Sequence, residues 1–235
     1  MNMSIKRLMA IFNKDYKDLS RNLYVSFTVV VPLFLAAFMG RQGNIALEQQ
    51  YMVYNLTLCL VTAYIQCALI AEEKEKNTLR NLMLSPASTM EILAGKGLLS
   101  FATTLLVLGL SAFFLDYMPK DLIVVTAAMV LSAIFYIGLG TALGLMTKSA
   151  MEASVIIMPF VFVFSFGTSL SFFADKYPFL HAADYLPNAQ LLLLAKEVEL
   201  GAGFADVWSN LGIIAIWVVV MTAITVAIYR KRMVD

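Results

Sequence analysis

The sequence predicts an all-α integral membrane protein with six transmembrane helices. Apolar residues make up 60% of the chain and charged residues only 14%, whereas soluble domains are about 45–50% apolar and about 25% charged. Six apolar segments are long enough to cross ~30 Å of hydrocarbon, which takes about 20 helical residues. They lie near residues 22–40, 52–71, 92–115, 122–146, 153–173 and 207–229.

These segments are expected to form a single domain over residues 1–235. An amphipathic interfacial helix at 1–21 precedes a six-span bundle at 22–229, and a short tail follows at 230–235. Thirteen of the 17 Lys and Arg residues fall on the side that holds both termini. Because positively charged loops stay in the cytoplasm, both termini are expected to be cytoplasmic. The stretch before the first span is too long and too acidic for a signal-peptide n-region, so no cleaved signal is expected.

The first 21 residues have the pattern of a helix that lies on a membrane surface. Apolar side chains recur at helical spacing along one stripe, and charged side chains occupy the other faces. The stripe comprises Ile5, Leu8, Met9, Phe12, Tyr16 and Leu19, and the charged set comprises Lys6, Lys14, Asp15, Lys17 and Asp18. Two roles fit this pattern: a plain membrane anchor, or an elbow helix that also contacts a cytoplasmic partner.

The loop between the second and third spans carries a short helix of its own. Glu72 and Glu73 end the second span, and three apolar residues then recur at spacings of three and four, which indicates about two helical turns. These residues are Leu79, Leu82 and Met83.

Pro86 ends this short helix, and the next one begins with Ser88 and Glu91 in the positions of a reciprocal capping box. A helix that is charged at its start and apolar on one side is poorly suited to cross a membrane and well suited to dock on a soluble protein. The alternative is a solvated loop whose charges only fix the topology.

The segment between the fifth and sixth spans, residues 174–206, is predicted to contain a further helix. Pro187 can begin it and Gly201 can stop it, and at about 14 residues it covers only ~20 Å, too little to span. It is expected to lie at the outer face or dip into it, either as a packed lid or as a surface-lying amphipathic helix.

No catalytic constellation is visible in the sequence. The dipeptide Gly95-Lys96 lacks the first glycine and the hydroxyl residue of a phosphate-binding loop, because Met90 and Gly97 occupy those positions. The single histidine, His181, has no metal-ligand spacing around it. The chain is therefore expected to be no enzyme, to bind no cofactor or metal, and to have no nucleic-acid partner.

Ionisable residues are absent from the centres of the predicted spans, which disfavours an ion-coupled transporter. The second span carries Asn55 and Gln66, and the fifth carries Ser165 in an aromatic-rich stretch with Phe160 and Phe164. These five residues are candidates for a route that holds an apolar or amphipathic cargo by apolar contact and a few hydrogen bonds. The alternative is that they face lipid or pack the helices together.

The charged loop also resembles a known family. The resemblance is to the first cytoplasmic loop of the type-2 ATP-binding-cassette exporter permeases, and Asn77 stands where that family often has glycine. The residues that carry it are the acidic residues before Thr78-Leu79, then Leu84-Ser85-Pro86, then Ser88, Glu91 and Gly95-Lys96. Six spans, an amphipathic amino-terminal helix and a short basic carboxyl terminus fit the family over the whole chain.

This resemblance implies that the short loop helix is a coupling helix seated in a groove of an ATPase subunit. It also implies re-entrant helices between the fifth and sixth spans. The complex would contain two permease chains, identical or closely related, and two ATPase subunits that hold ATP and Mg. The residues implied in coupling are Glu72, Glu73, Glu75, Thr78, Leu79, Leu82, Met83 and Pro86.

The function predicted from these patterns is that of the permease subunit of an ATP-driven exporter in a bacterial plasma membrane. Its cargo would be hydrophobic or amphipathic, such as a peptide toxin, a bacteriocin or a drug, and the partner subunit would hydrolyse ATP. The alternative is a non-transporting membrane scaffold or sensor that only tethers an ATPase.

Overall fold

The computed structural model is mainly helical in the part of the chain that it describes, which is residues 5–43, 45–76, 78, 89–167 and 178–234. No strand occurs within these ranges. The helices are α1 Ile5–Arg21, α2 Leu23–Gly40, α3 Leu47–Glu75, α4 Thr89–Phe114, α5 Leu122–Met146, α6 Ala150–Ile156, α7 Met158–Phe166, α8 Pro187–Glu199 and α9 Trp208–Val234. The predicted all-α class is confirmed.

Four of these helices are long and apolar enough to cross a membrane, namely α3, α4, α5 and α9. Two shorter apolar segments, Ser26–Gly40 and Ala150–Phe166, lie where the first and fifth spans are predicted. Because a perpendicular span takes about 20 residues, the total of six spans stays a prediction.

Helix α3 forms the centre of the bundle. Within its most apolar window 94% of the residues are buried inside the chain, against 33% for α4 and 17% for α9. Helices α2, α4, α5, α6 and α7 pack around α3. The surrounding helices therefore keep large apolar faces on the outside, as expected of a bundle whose solvent is lipid.

The glycines of α5 allow it to approach α3 closely. A methyl group at Gly140 would lie 2.2 Å from the carbonyl oxygen of Ala63, and one at Gly144 would lie 2.8 Å from that of Cys67. The two glycines are four residues apart and form one small-residue face. This face lets the backbone of α5 lie close to that of the central helix.

The middle of α3 is a π-helical segment, Leu58–Ala63. Its wider turn rotates the residues that follow it relative to those that precede it. Asn55 lies on one side of the segment and Gln66 on the other, so the two polar side chains of the second span point to different neighbours.

Helix α8 begins at Pro187, as predicted, and Gly201 follows its end with a φ of +99°. Most of its side chains are buried against α3, α5 and α9. The helix is thus packed within the chain, whereas the choice between a lid and a surface-lying helix stays a prediction. Its position relative to the membrane stays a prediction, as does its re-entrant character.

Candidate functional site

Six charged side chains at or near the end of α3 connect it to neighbouring helices, and we call this set the charged junction. It contains three lysines and three carboxylates, so its formal charges balance. Its members are Lys14 and Asp15 of α1, Glu73, Lys74 and Glu75 of α3, and Lys96 of α4.

Lys96 lies at the centre of the charged junction with none of its surface exposed. Its Nζ is 3.1 Å from Oδ2 of Asp15 and 3.2 Å from Oε1 of Glu73. Both carboxylates are buried, and Lys14 donates to the same oxygen of Glu73. A buried ammonium without partners would cost several kcal/mol. The two carboxylates therefore make this lysine tolerable, and the lysine in turn fixes α1 and α3 against α4.

Gly95 explains how α1 comes close enough for this contact. A methyl group at Gly95 would lie 3.0 Å from Cβ of Ile11, a buried residue of α1. Any larger side chain would push α1 away from α4. The Gly95-Lys96 dipeptide, which the sequence excludes as a phosphate-binding loop, therefore has a structural role: the glycine admits the helix and the lysine pairs with it.

Lys74 and Glu75, which follow Glu73 in α3, hydrogen-bond to backbone groups at the ends of two other helices. Lys74 Nζ donates to the carbonyl oxygens of Leu145, at 2.6 Å, and of Thr147, at the carboxyl end of α5. Glu75 accepts from the backbone N–H of Ala150, at 2.9 Å, where α6 begins. Helix ends leave such groups unpaired and favour a cation at the carboxyl end and an anion at the amino end.

Consecutive residues of α3 therefore reach different partners. Successive side chains on a helix are about 100° apart, so Glu73, Lys74 and Glu75 point in three directions. In this way the charged junction joins α1, α3, α4, α5 and α6.

Burial affects the proton affinity of the α1 members. Burial raises the pKa of the Asp15 carboxyl above its usual range, although the positive charges of Lys96 and Lys14 act in the opposite direction. Burial lowers the pKa of Lys14, but its hydrogen bond to Glu73 and the charge of that carboxylate outweigh the effect, so the pKa is raised overall. Lys14 therefore stays charged, and Asp15 is a carboxyl of the junction with an increased proton affinity.

A polar cavity of about 240 Å³ lies beside the charged junction. Thr78, three residues after the end of α3, lines it and donates a hydrogen bond to Oε2 of Glu73. The hydroxyl thus ties the start of the loop to the junction. The cavity is lined by Lys14, Asp15, Asp18, Leu69, Glu72, Glu73, Lys76 and Thr78.

The predicted coupling residues fall into two groups. Glu73 is buried in the charged junction, whereas Glu72 is partly exposed and pairs with Lys76 at 2.5 Å. Glu75 and Thr78 make the contacts given above. The others, which are Leu79, Leu82, Met83 and Pro86, lie outside the described residues together with Ser88 of the predicted capping box. A role in docking an ATPase stays a prediction for all of them.

Gln66, a candidate for the cargo route, lies in a polar seam inside the bundle. Its amide nitrogen donates to the hydroxyl of Thr141 of α5 at 3.0 Å, and its amide oxygen accepts from Ser100 of α4 at 3.0 Å. One turn away, the hydroxyls of Thr62 and Thr104 are 2.7 Å apart. Such bonds hold helices together in lipid, where each contributes about 0.6 kcal/mol on average.

The other candidates line the contact between α3, α7 and α8. Asn55 is buried and donates to the carbonyl oxygen of Asn188 at 3.4 Å. Phe164 packs edge-on against Phe135 of α5, with ring centroids 5.6 Å apart.

Two further candidates belong to α7. The carbonyl of Phe160 accepts a weak hydrogen bond from Cys59 at 3.6 Å. The hydroxyl of Ser165 is buried and has no partner among the described residues. In this closed packing all five candidates are at least partly buried within the chain.

Sequence reasoning missed Asp15 and Lys96 as interaction partners. It placed Asp15 on a polar face of an interfacial helix. It used Lys96 as a topology signal and as part of the Gly95-Lys96 dipeptide, but gave it no carboxylate partner. The structure buries both, and α1 turns Ile11 and Asp15 toward α4, while Ile5, Met9 and Tyr16 remain exposed. A usable signal was present: a lysine beside a glycine at the start of an apolar helix needs a carboxylate nearby.

Comparison with known proteins identifies the family of the chain. Residues 41–227 match the family described as ABC-2 family transporter protein. The chain belongs to this family. The type-2 permease resemblance that the loop residues indicate is thereby confirmed. Comparison with curated proteins gave no significant match.

Membership defines the chain in broad terms. It is a multi-pass membrane protein and the permease component of an ABC transporter, a type of subunit that works with ABC ATPase subunits. The matched region contains four members of the charged junction, on α3 and α4, and begins after α1. Lys14 and Asp15 lie before the matched region.

Proposed function

We propose that this ABC-2 permease is the membrane subunit of an exporter, and that the charged junction transmits motion of the ATPase partners to the spans. The observation that carries the proposal is the position of the ion pair between Glu73 and Lys96, 3.2 Å long. These two residues flank the loop at 77–88 on its two sides. Their contact closes the base of that loop, which is the predicted coupling helix with its flanking turns.

The charged junction is suited to move as one unit. Separating a buried ion pair leaves an uncompensated charge and costs about 3–5 kcal/mol. A push on the loop would therefore displace α3 and α4 together rather than pull Glu73 away from Lys96. Because Lys74 and Glu75 hold the ends of α5 and α6, the same displacement would reach these helices too.

The assembly proposed for the exporter contains two permease chains, identical or closely related, and two ATPase subunits. ATP and Mg would be held by the ATPase subunits, which would also carry out the hydrolysis. The permease would lie in a bacterial plasma membrane with both termini in the cytoplasm. This arrangement is supported by family membership and by the distribution of lysine and arginine.

The proposed cargo is hydrophobic or amphipathic, such as a peptide toxin, a bacteriocin or a drug. Asn55, Gln66, Phe160, Phe164 and Ser165 would form the wall of its route. In the packing described above these residues contact their neighbours, so the route would open when α3 and α7 move apart. The weak contact between Cys59 and the carbonyl of Phe160 is one that such a movement could break at small cost.

Reconstitution of the permease with its ATPase in liposomes tests this function. Leu82→Asp should reach the membrane normally but fail to co-purify with the ATPase, because a charge pressed against an apolar groove costs several kcal/mol. Lys148→Asp, an exposed change on another loop of the same side, is the matched control. Unchanged association of Leu82→Asp would rule out the coupling helix. ATPase activity that no apolar peptide or drug stimulates would favour a scaffold that only tethers the enzyme.

A further inference from the structure

A crevice of about 270 Å³ opens between α4 and α5 at the end of the bundle away from the charged junction. Its walls are almost entirely apolar. The lining residues are Tyr54, Leu105, Leu108, Gly109, Ala112, Tyr117, Met118, Pro119, Leu122, Val125, Thr126 and Met129.

The crevice has a buried floor and an exposed rim. Leu108, Val125 and Met129 are buried, whereas Leu105 and Leu122 at the rim are 41% and 52% exposed. The rim continues into the outer apolar faces of α4 and α5, which in a membrane bundle contact lipid tails. The crevice is therefore open to the hydrocarbon rather than sealed inside the protein.

The crevice extends along both helices from the loop between them. Leu105 lies nine residues before the end of α4, and Met129 lies seven residues after the start of α5. At 1.5 Å per residue these distances are about 10–14 Å. The crevice therefore reaches two to three helical turns along the spans from the level of that loop.

We propose that this crevice is a binding site for one apolar tail of an amphipathic lipid from the leaflet on the side away from α1. The volume suits a tail segment, because cavities of about 150 Å³ already bind benzene. Water is a poor occupant, since a buried water needs two to four polar partners. A methyl group at Gly109 would meet no atom within 4 Å, so the missing side chain leaves room for the tail.

Thr126 gives the site a polar point at its rim. Its side chain is exposed and lies one turn inside α5, among the lining residues of the crevice. The hydroxyl can donate to an ester carbonyl. The site therefore favours an acyl ester over a bare alkyl chain.

An occupant would also contact Tyr117, whose hydroxyl hydrogen-bonds to two other helices. The hydroxyl of Tyr117, in the crevice wall, lies 3.3 Å from that of Tyr51 of α3 and donates to Glu199 of α8, also at 3.3 Å. A bound tail would thus pack on a residue that joins α3 to α8. This places lipid occupancy next to the outer ends of the helices that the proposed export cycle moves.

Photo-crosslinking of the purified permease in nanodiscs tests the site. The probe is a phosphatidylcholine with a diazirine in one acyl chain, and the labelled peptides are mapped by mass spectrometry. Labelling should concentrate on α4 and α5 at the crevice. In Gly109→Phe it should fall at least about fivefold, because the ring fills the space. Gly212→Phe is the matched control, since Gly212 of α9 also has open space around it and lies outside the crevice.

Two outcomes would overturn the proposal. One is equal labelling of the crevice in Gly109→Phe and Gly212→Phe, which would mean that tails only touch the outer surface. The other is wild-type labelling no higher at the crevice than at Ile216 and Val219, which are 63% and 68% exposed on α9. Both variants should elute as the same single species in size-exclusion chromatography, so that misfolding is not the cause of a loss.

A second probe tests whether the crevice prefers the acyl ester of a phospholipid to an alkyl chain without an ester. A diazirine fatty alcohol, which lacks an ester, should label the crevice less than the phospholipid does. Thr126→Val should lower labelling by the phospholipid and leave labelling by the alcohol unchanged. Labelling by the alcohol alone would overturn the assignment to a membrane lipid.

Discussion

The ammonium of Lys96 lies 3.1 Å from Oδ2 of Asp15, and both side chains are buried. The pair joins the amino-terminal helix α1 to α4, two helices that are far apart in the sequence. A buried charge is strongly destabilising when its partner is removed. The position of α1 therefore depends on a single side chain of α4.

Lys96→Met should destabilise the permease strongly. Methionine fills much of the same volume but removes the buried cation between Asp15 and Glu73, which leaves the more exposed Lys14 as the cation near both carboxylates. Breaking a buried pair in this way costs about 3–5 kcal/mol. Thermal unfolding of the purified protein in detergent should show a clear decrease in Tm.

Lys76→Met is the control for that experiment. Lys76 pairs with Glu72 at a position where its side chain is 57% exposed, and exposed pairs contribute about 0–1 kcal/mol. Similar decreases in Tm for the two variants would contradict the special position of Lys96.

Asp15→Asn should make the stability of the permease less dependent on pH. Burial raises the pKa of Asp15, so the folded chain holds this proton more tightly than the unfolded chain. The resulting stabilisation is complete below the usual aspartate pKa of 3.8 and is lost as the pH rises through the raised value. Relative to Asp15→Asn, the wild type should therefore lose Tm as the pH increases from the usual value upward. A difference in Tm that stays constant over this window would refute the assignment.

Single cysteines should establish the topology. In a background without the buried Cys59 and Cys67, cysteines at the exposed positions Gln42, Asp116 and Leu200 should react with an impermeant thiol reagent applied to intact cells. Each position lies on the side away from the charged junction if the chain has six spans.

A cysteine at Lys148 provides the opposite control. It is exposed near the end of α5 that Lys74 contacts, so it should react only after lysis. Labelling of Gln42 or Leu200 only after lysis would show that α2 or the α6 and α7 pair does not cross the membrane.

Gln66→Leu should reduce export more than it reduces stability. The change removes two interhelical hydrogen bonds, and such bonds contribute about 0.6 kcal/mol on average and about 1.7 kcal/mol at most in a membrane protein. Loss of the polar group from the proposed route should decrease cargo export while the ATPase still co-purifies. Export into vesicles and Tm are measured on the same preparations.

Thr225→Val is the matched variant for Gln66→Leu. Its hydroxyl bonds to the carbonyl oxygen of Gly138 at 3.1 Å, between α9 and α5 and away from the proposed route. It should lose a similar amount of stability and keep export. Equal export by both variants would assign Gln66 to helix packing alone.

The amino-terminal helix shows which features of the site can be predicted from the sequence. The spacing of its apolar residues is enough to predict a helix, and the structure has one at Ile5–Arg21. The choice of buried face was not predictable from that spacing, because Ile11 and Asp15 face α4 rather than solvent or lipid. An isolated amphipathic pattern tells which residues share a face, but the partner of that face is supplied by another part of the chain.

The second span gives a similar lesson. Its polar residues Asn55 and Gln66 were assigned to one cargo route because they are polar side chains in an otherwise apolar span. The π-helical segment Leu58–Ala63 between them changes the turn, and the two residues bond to different helices. The apolar composition of the span predicts a helix, but it does not show where the hydrogen-bond register along that helix changes.

The sequence by itself determined that this protein lies in a lipid bilayer, that it is helical, and in which order its apolar segments follow one another. These follow from hydrophobicity summed over about 20 consecutive residues, which is a local property. It also determined the family, through the residues of the loop after α3. Only the tertiary structure decided that Lys96 pairs with Asp15 and Glu73, because the cost of burying a charge depends on which groups other helices bring within about 3–4 Å.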